Sequence, residues 1–276
     1  MEKNLVSVIM PTYNTGEALR DCLESILSQT YKELEIVVTD DNSTDETTID
    51  ILRDFEQRDS RVRVFWLKVN GGPGVARNNS IREARGQYIA FCDSDDAWYP
   101  TKVERQVEFL KANGYCLTFS SYIVCNNEGV GTGIVNCPER VSFSMLKRDN
   151  KVGCLTAMYD ASIYGKFYLP TLRKRQDWAM FLDILRKCGY GYGIQEPMAY
   201  YRKRKNSVSH KKIALVKYNL SVYHTILGFS RLKSCLYFLF LFLPTYYIKV
   251  AKVRWDSWGY VRRKKENVDR IKKYSR

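Results

Sequence analysis

Histidine is nearly absent from this 276-residue sequence, which has two, and none of its eight cysteines forms a CxxC pair. A histidine-rich transition-metal site is therefore disfavoured. The first apolar stretch, Leu5–Met10, is too short for a signal peptide. Together these features predict reduced, structural cysteines and a cytoplasmic location.

The sequence also lacks the biased composition of low-complexity proteins. Hydrophobic residues make up 45% of the chain and charged residues 27%, so most of it can bury a core. This balance excludes wholesale disorder and a collagen-like architecture. The length fits one large domain, or a domain with an accessory piece.

Acidic residues are scarce near the end of the chain, although the whole chain carries a net charge of +14. From Arg202 onward there are 20 basic and 3 acidic residues, a net +17, whereas residues 1–201 carry −3. A protein that binds nucleic acid over its whole surface would not have this distribution. We therefore expect no nucleic-acid partner, and a near-neutral body with a basic C-terminal region.

Short apolar runs alternate with segments of helical periodicity over residues 1–113. The predicted strands span residues 5–10, 34–39, 62–67 and 87–92. The predicted helices span residues 16–30, 43–58, 75–85 and 100–112. This alternation predicts an α/β fold with a doubly wound, mostly parallel sheet.

The pattern changes after residue 114. The predicted elements there are strands over 115–125, 129–136 and 152–159, a helix over 177–188, and an extended segment over 190–201. We divide the chain into a domain of residues 1–210 and an extension of residues 211–276. Within the domain, the change of pattern separates residues 1–113 from residues 114–210.

Residues 234–248 contain no charge and are flanked by Lys and Arg. As a helix this segment is roughly 22 Å long, which is short of a hydrocarbon core of about 30 Å. The basic and aromatic neighbours favour a helix that lies in the membrane interface beside anionic headgroups. A helix buried in the protein core and a simple membrane span are the alternatives.

Polar segments follow three of the predicted strands: Pro11–Asn14, Asp40–Asn42 and Asp93–Asp96. The carboxyl ends of parallel strands meet at one edge of a sheet, where ligands bind. Clustered carboxylates there favour Mg²⁺ or Mn²⁺. The alternatives are a solvated turn with Asp96 capping the next helix, and a helix start capped by Asn42 or Ser43. A phosphatase with a nucleophilic first Asp would place that motif after the first strand.

Several short motifs, in this order and spacing, resemble those of family 2 glycosyltransferases with the GT-A fold. They are VSVIMPTYN from Val6, LSQTY from Leu27, DDNSTD from Asp40, GVARN from Gly74 and FCDSDDAW from Phe91. The resemblance is strong over residues 4–110 and thinner to about residue 210. It implies a nucleotide-sugar donor and the GT-A version of the predicted sheet. It also implies that residues 1–113 form the nucleotide-binding half of the domain and residues 114–210 the acceptor-binding half.

The resemblance implies a role for each polar segment. Residues that would bind the nucleotide are Pro11, Tyr13, Asp41, Asp93 and Ser94. Residues that would bind a metal ion, Mg²⁺ or Mn²⁺, are Asp95 and Asp93. The metal would bridge to the diphosphate and neutralise its charge as it leaves.

The catalytic base implied by the resemblance is Asp177, in the segment RQDWAMFL that begins at Arg175. Gln176 stands where the family usually has a first acidic residue. The alternative function for Asp177 is a helix N-cap. Asp183 is a rival base, but it lies within the predicted helix.

The implied activity is that of an inverting, metal-dependent hexosyltransferase that uses a nucleotide sugar, with UDP expected. The QxxRW motif of processive synthases is missing, so we expect one sugar to be transferred per encounter. The expected acceptor is lipid-linked or a glycan, in cell-surface polysaccharide assembly. The expected location is peripheral, at an anionic membrane surface on the inner face of the cell membrane.

The basic segment Tyr201–Lys212 resembles the flexible segment that covers the donor diphosphate in this family, with His210 of undefined role. A solvated basic loop is the alternative. Two other functions are weaker hypotheses. One is a non-catalytic module that binds anionic lipid or nucleic acid through the basic end. The other is a nucleotidyltransferase, which would need a Gly-rich loop where PTYNTG stands.

Overall fold

The computed structural model describes residues 1–203, 212–264 and 269–271. The strands are β1 Glu2–Thr12, β2 Leu34–Asp40, β3 Val62–Trp66, β4 Gly86–Phe91, β5 Ala97–Trp98, β6 Leu117–Cys125, β7 Gly131–Val135, β8 Arg140–Ser142, β9 Met158–Asp160 and β10 Tyr190–Arg202. The helices are α1 Ala18–Leu27, α2 Glu46–Arg58, α3 Pro73–Glu83, α4 Lys102–Asn113, α5 Phe143–Arg148, α6 Ala161–Tyr164, α7 Gln176–Cys188, α8 Lys212–Ser221, α9 Arg231–Tyr237 and α10 Leu243–Arg263.

The strands form one mixed sheet in the order β3-β2-β1-β4-β9-β6-β10-β5, with β7 beside β6 and β8 beside β10. The pairs β1–β2, β1–β4, β2–β3 and β6–β10 are parallel, and β9 runs antiparallel to both of its neighbours. The prediction of an α/β fold with a mostly parallel sheet over the first half is confirmed.

Both faces of the sheet are covered, which explains the continuous apolar runs of its central strands. Alternate residues of β1 enter different cores: Val8 and Met10 pack into the cluster shared with α1, α2 and α4. Ile9 packs into the cluster shared with α7 and the C-terminal helices. Because side chains alternate along a strand, a single strand can serve both cores.

The C-terminal helices pack against α7 rather than forming a detached tail. The ring of Trp178 on α7 lies 5.7 Å from the ring of Tyr223 and 5.8 Å from that of Phe242. All three side chains are buried. The helix that carries the candidate base Asp177 therefore shares its core with the C-terminal extension.

Helices α9 and α10 are joined by a π-helical segment, Phe238–Phe242, into one helix of 33 residues. By length and composition alone this helix can cross a membrane, and 17% of its most apolar window is buried in the protein. The core-helix alternative therefore does not fit. The exposed apolar side chains of this helix are Leu232, Leu236, Leu239, Phe240, Tyr247, Ile248, Trp255, Trp258 and Val261.

The structure differs from the sequence-based expectations in several places, and β8, α5 and α6 were not predicted. The predicted strand over 152–159 is extended only at its end, where β9 follows a 3-10 turn, Cys154–Thr156. The short strand β5 was not predicted, because two residues give no periodicity. Cys116 and Cys188 are joined in a disulfide, so the expectation of reduced thiols is wrong for this pair.

Candidate active site

The carboxyl ends of β1, β2 and β4 carry the three polar segments that the sequence predicts to meet. Hydrogen bonds join them directly. The N–H of Asp41 donates to the carbonyl of Thr12 at 2.8 Å, and the hydroxyl oxygens of Thr15 and Ser94 lie 2.7 Å apart. The predicted convergence is confirmed, and we refer to this edge of the sheet as the donor edge.

Asp41 holds the glycine-rich loop that precedes α3. Its buried carboxylate accepts one hydrogen bond from the N–H of Gly71 and one from that of Gly72, each at 2.8 Å. Gly72 has a φ of +85°, a conformation that side chains disfavour. The carboxylate has further lone pairs that can accept a hydrogen bond. The expected contact of Asp41 with a nucleotide base stays a prediction.

Tyr13 and Pro11 differ in what they offer a ligand. The side chain of Tyr13 is 50% exposed at the end of β1, so its ring is accessible for stacking. Pro11 is buried within β1, opposite Thr39 of β2. Its position therefore fixes the end of the strand from which Tyr13 projects.

Two further polar residues shape the loops of the donor edge. The carboxylate of Asp40 accepts hydrogen bonds from the N–H and the hydroxyl of Ser43, at 2.8 and 2.6 Å. The side-chain oxygen of Asn14 accepts from the N–H groups of Thr44 and Asp45.

Asp45, rather than Asn42 or Ser43, caps α2. The acidic pair at positions 40 and 41 therefore organises loops instead of capping a helix.

Arg77 on α3 lies between the donor edge and the candidate base. Its guanidinium forms an ion pair with Asp93. Burial lowers the pKa of Arg77, but the negative charge of Asp93, with smaller contributions from Cys154 and Asp177, raises it overall. Arg77 belongs to the GVARN motif, but nothing in the sequence alone indicated its ion pair with Asp93.

The remaining acidic residues after β4 have distinct environments. Ser94 is buried beside Thr15, and Asp95 is half-buried. Asp96 is fully buried and accepts the backbone N–H of Arg202 at 3.0 Å. Burial, with the charges of Asp95 and Asp93, raises the pKa of Asp96 well above its usual range. The solvated-turn and capping alternatives for Asp96 therefore do not fit.

Arg202, the last residue of β10, fastens this acidic turn. Its guanidinium donates to the Asp95 carbonyl at 3.1 Å, the Asp21 carboxylate at 3.0 Å and the Asn127 carbonyl at 2.8 Å. The sequence placed Arg202 at the start of a basic loop, without this function. Residues 204–211 of that loop, including His210, lie outside the described residues.

Asp177 lies in the first turn of α7, one residue after the start of the helix. The N-cap of α7 is Arg175, which has a left-handed φ of +66° and no side-chain cap. The carboxylate of Asp177 instead accepts a hydrogen bond from the side-chain amide of Asn150 at 3.0 Å. The capping alternative is therefore wrong, and Asn150 is a contact that the sequence analysis missed.

Asp183, the rival base, lies on the outer part of α7. Its side chain is 44% exposed and pairs with Arg186 on the same helix at 2.9 Å. By contrast, Asp177 lies in the first turn of α7, next to Gln176, which packs against Gly74 of α3. The geometry therefore favours Asp177 as the candidate base.

Close packing brings the start of α7 to the start of α3. A Cβ atom added at Gly74 would lie 2.2 Å from Nε2 of Gln176. Only glycine allows this approach without movement of the glutamine. This contact explains how Arg77 on α3 and Asp177 on α7 come to the same region.

The residues present fit a metal ion that is shared with a substrate. Among the described residues there is no group of three or more His, Cys, Asp or Glu side chains that could hold a metal. Mg²⁺ commonly uses one or two carboxylates and completes its shell with substrate phosphates and water. Asp93 and Asp95 supply such a partial set, and one oxygen of Asp93 is engaged by Arg77.

Comparison with known proteins agrees with this architecture. A family model described as "Glycosyl transferase family 2" matches residues 7–172. TuaG of Bacillus subtilis, a glycosyltransferase whose name assigns it to teichuronic acid biosynthesis, is 37% identical over 81% of this chain and 89% of its own length. WfgD of Escherichia coli is named UDP-Glc:alpha-D-GlcNAc-diphosphoundecaprenol beta-1,3-glucosyltransferase. It is 31% identical over 79% of this chain and 84% of its own.

Among solved structures, residues 1–349 of Staphylococcus aureus TarS, in complex with UDP-GlcNAc, superimpose with a TM-score of 0.64. The match covers 83% of this chain and 69% of that one, at 21% sequence identity. The chain spans 43% of the longer TarS structure. At this identity the likeness shows a shared fold.

Proposed function

This chain belongs to glycosyl transferase family 2, and on that premise we propose that it is an inverting hexosyltransferase of cell-surface polysaccharide assembly. It transfers one sugar from a UDP-sugar to a hydroxyl group of a lipid-linked or glycan acceptor. The observation that carries the proposal is the close packing of Gly74 of α3 against Gln176 of α7, which brings Asp177 near the helix whose Arg77 pairs with Asp93. A single displacement needs a leaving-group site and a base on opposite sides of one sugar.

The donor edge supplies the nucleotide contacts in this proposal. The exposed ring of Tyr13 stacks on the base, and Pro11 fixes the end of the strand behind it. Asp41 accepts a hydrogen bond from the base with the lone pairs that Gly71 and Gly72 leave free. Asp93 and Ser94 bind the ribose at the end of β4.

Asp95 and Asp93 would hold the metal ion, Mg²⁺ or Mn²⁺. When bound there, the ion supplies positive charge that stabilises the departing diphosphate. Two arginines hold the carboxylate turn in place. Arg77 pairs with Asp93, and Arg202 donates to the Asp95 carbonyl. The protein thus orients the ligands before the donor arrives.

Asp177 acts as the general base. It accepts the proton of the acceptor hydroxyl as that oxygen forms a bond to the anomeric carbon. The bond between the anomeric carbon and the diphosphate oxygen breaks on the opposite face, and the electron pair leaves with the nucleoside diphosphate. One displacement therefore inverts the anomeric configuration.

A lipid-linked acceptor is supported by the C-terminal helix and by the relatives. The name of WfgD of Escherichia coli includes a diphosphoundecaprenol-linked acceptor. The exposed apolar side chains of α9 and α10 lie in a region of strongly positive charge. Such a helix binds at an anionic membrane surface, where a polyprenyl diphosphate is presented from the cytoplasmic side.

The membrane contact can be tested separately from activity. Replacing Phe240, Ile248 and Trp255 with serine removes three of the most exposed apolar side chains. We expect sedimentation with vesicles of phosphatidylglycerol and phosphatidylcholine to fall at least tenfold, since each buried aromatic or aliphatic side chain contributes about 1.5–3 kcal/mol. Unchanged sedimentation of the folded variant would contradict the membrane proposal.

The function itself is tested by titrating the protein with UDP-glucose, UDP-N-acetylglucosamine and GDP-mannose, in Mn²⁺, Mg²⁺ or EDTA. Metal-dependent binding of one UDP-sugar is expected. Salt-dependent nucleic-acid binding without any donor binding would overturn the proposal in favour of the non-catalytic module.

The base is tested with Asp177→Asn, which keeps the shape of the side chain but cannot take a proton at neutral pH. With synthetic N-acetylglucosaminyl diphosphopolyprenol as acceptor, we expect kcat to fall about 1,000-fold, with donor Kd changed less than twofold. Asp183→Asn on the same helix is the matched control and should keep wild-type kcat. Full activity of Asp177→Asn would refute the assignment.

A further inference from the structure

The candidate base has a side-chain partner that the sequence did not reveal. Nδ2 of Asn150 donates to Oδ2 of Asp177 at 3.0 Å, and Oδ1 of Asn150 accepts the N–H of Val152 at 3.1 Å. A backbone N–H can only donate, so it fixes which end of the amide is oxygen. The end of Asn150 that faces Asp177 is therefore the amide nitrogen, a donor.

A lysine from the C-terminal helix holds Asn150 in turn. Nζ of Lys249 on α10 donates to the backbone carbonyl of Asn150 at 2.9 Å. The same ammonium group forms an ion pair with Asp149, whose side chain is 4% exposed. Charge-assisted contacts of this kind are stronger than neutral ones, so Lys249 fixes two consecutive residues.

The helix α5, which precedes Asn150, is fastened at two of its carbonyl groups. Nε1 of Trp178 on α7 donates to the carbonyl of Leu146 at 2.8 Å. The hydroxyl of Tyr223 donates to the carbonyl of Lys147 at 3.1 Å. The loop after α5, the helix α7 and the C-terminal helices thus form one connected support around Asp177.

We propose that Asn150 is a positioning residue for Asp177, and that Lys249 positions Asn150. The helix expected to face the membrane thereby sets the orientation of the base. This inference rests on the proposed function, because it assumes that Asp177 takes the proton of the acceptor.

Orientation matters because a carboxylate must direct one oxygen at the acceptor hydroxyl. The bond from Asn150 engages Oδ2 and leaves Oδ1 for the acceptor. Without that bond the carboxylate rotates freely. Misplacement of a reacting group by about 1 Å costs about 100-fold in rate.

Asn150→Asp is the decisive variant. Its carboxylate still accepts the N–H of Val152, so the turn keeps its local bond. It has no N–H to offer Asp177, and it adds a like charge beside that carboxylate. If Asn150 only shaped the turn, this variant would resemble the wild type. We expect kcat to fall about 100-fold, with donor KM changed less than twofold.

The lysine is tested by Lys249→Met, which keeps the aliphatic stem and removes the charge. The matched control is Lys252→Met, which loses the same charge from an exposed position on the same helix. A fall in kcat that both variants share reflects the lost charge. A further fall in Lys249→Met alone reflects the lost contacts with Asn150 and Asp149. We expect an additional fall in kcat of about tenfold, largely restored in Lys249→Arg.

The assay uses the full chain in detergent, with the donor selected by the binding panel and N-acetylglucosaminyl diphosphopolyprenol as acceptor. Wild-type kcat in Asn150→Asp, while Asp177→Asn is inactive, would overturn the positioning role and leave the proposed function intact. Equal kcat in Lys249→Met and Lys252→Met would overturn the role of the helix. Full activity of Asp177→Asn would instead refute the base itself.

Discussion

The donor edge is built from loops that follow parallel strands, whereas the acceptor side, by which we mean α5, α7 and the loop around Asn150, is held by the C-terminal helices. At the donor edge, Asp41 bonds to Gly71 and Gly72, about 30 residues away, through their backbone N–H groups. On the acceptor side, Lys249 bonds to Asn150 across 99 residues. The difference lies in how each region gains its rigidity.

Loops that follow parallel strands are short and begin at a fixed edge of the sheet. Their polar residues therefore come in compact motifs. The acceptor side has no such frame, because the strands there are mixed in direction and the support comes from helices α5, α7 and α10. Substitutions on that side act through a distant partner rather than through a local loop.

Among the contacts near the boundary of the two regions, three can be tested with single substitutions, and we call these three the seam. Arg77 of the donor half pairs with Asp93 and lies near enough to Asp177 to be influenced by its charge. Gly74 packs against Gln176. Gln106 of α4, which binds the buried ammonium of Lys102, also donates to the Thr156 carbonyl at 2.8 Å. Variants at these contacts test whether the halves behave independently.

Arg77→Met should have the largest effect on the seam. The variant keeps an apolar side chain of similar length but leaves Asp93 without its cation, beside Asp95 and Asp96. Because carboxylates in close proximity repel one another, the turn that binds the donor should lose its geometry. We expect kcat/KM to fall about 100-fold, equal to about 2.7 kcal/mol, measured with the donor selected by binding.

The control for this variant is Arg82→Met, an exposed arginine on the same helix. It should keep wild-type kcat/KM, since it faces neither carboxylate. Melting temperatures of both variants show whether a loss of activity reflects loss of folding. Wild-type kcat/KM in Arg77→Met would mean that this ion pair is not needed to hold the turn after β4.

The sequence predicted the first half of this molecule well for a physical reason. Apolar runs of β1, β2 and β4 are buried on both faces, and each ends in polar residues at one edge. The apolar runs that indicate burial, and the polar residues that mark the end of each strand, are both visible in the local sequence. The convergence of Asp41 and Ser94 at the donor edge followed from them.

The acceptor side was predicted less well because its contacts depend on tertiary packing. Asn150 lies between α5 and a 3-10 turn, with no periodicity to indicate its partner. Lys249 looked like one of many basic residues at the end of an apolar segment. Its pairing with Asp149 follows only when α10 packs against the body.

Lys102 offers a second test of the seam, through stability. Its side chain is fully buried, 3.7 Å from the centre of the Trp98 ring, and burial lowers its pKa to about 7. In the unfolded chain a lysine has a pKa of about 10.4. Between these values the unfolded chain binds a proton that the folded protein does not, so the free energy of unfolding rises with pH.

Compared with Lys102→Met, the wild type should therefore gain up to about 3 kcal/mol in free energy of unfolding between pH 6.5 and 9.5. Urea unfolding at several pH values measures this gain. Lys111→Met, an exposed lysine of the same helix, should show the wild-type profile. Parallel plots of the free energy of unfolding against pH for wild type and Lys102→Met would contradict this prediction. They would mean that the folded protein stabilises the charged form of Lys102.

Gly74→Ala should have the smallest effect and tests the closest approach of the two halves. The new Cβ would lie 2.2 Å from Nε2 of Gln176, so the glutamine must turn away and lose its hydrogen bond to the Leu172 carbonyl. The clash involves the end of a flexible side chain, and the lost bond is worth about 1 kcal/mol. Thermal unfolding of Gly74→Ala, Gln176→Ala and the double variant measures the coupling. If the clash with Gln176 causes the loss of stability in Gly74→Ala, the double variant should be at least as stable as Gln176→Ala. The clash is then gone, and alanine favours the helix over glycine. Additive losses would mean that Gly74 matters to α3 alone and that the seam does not include it.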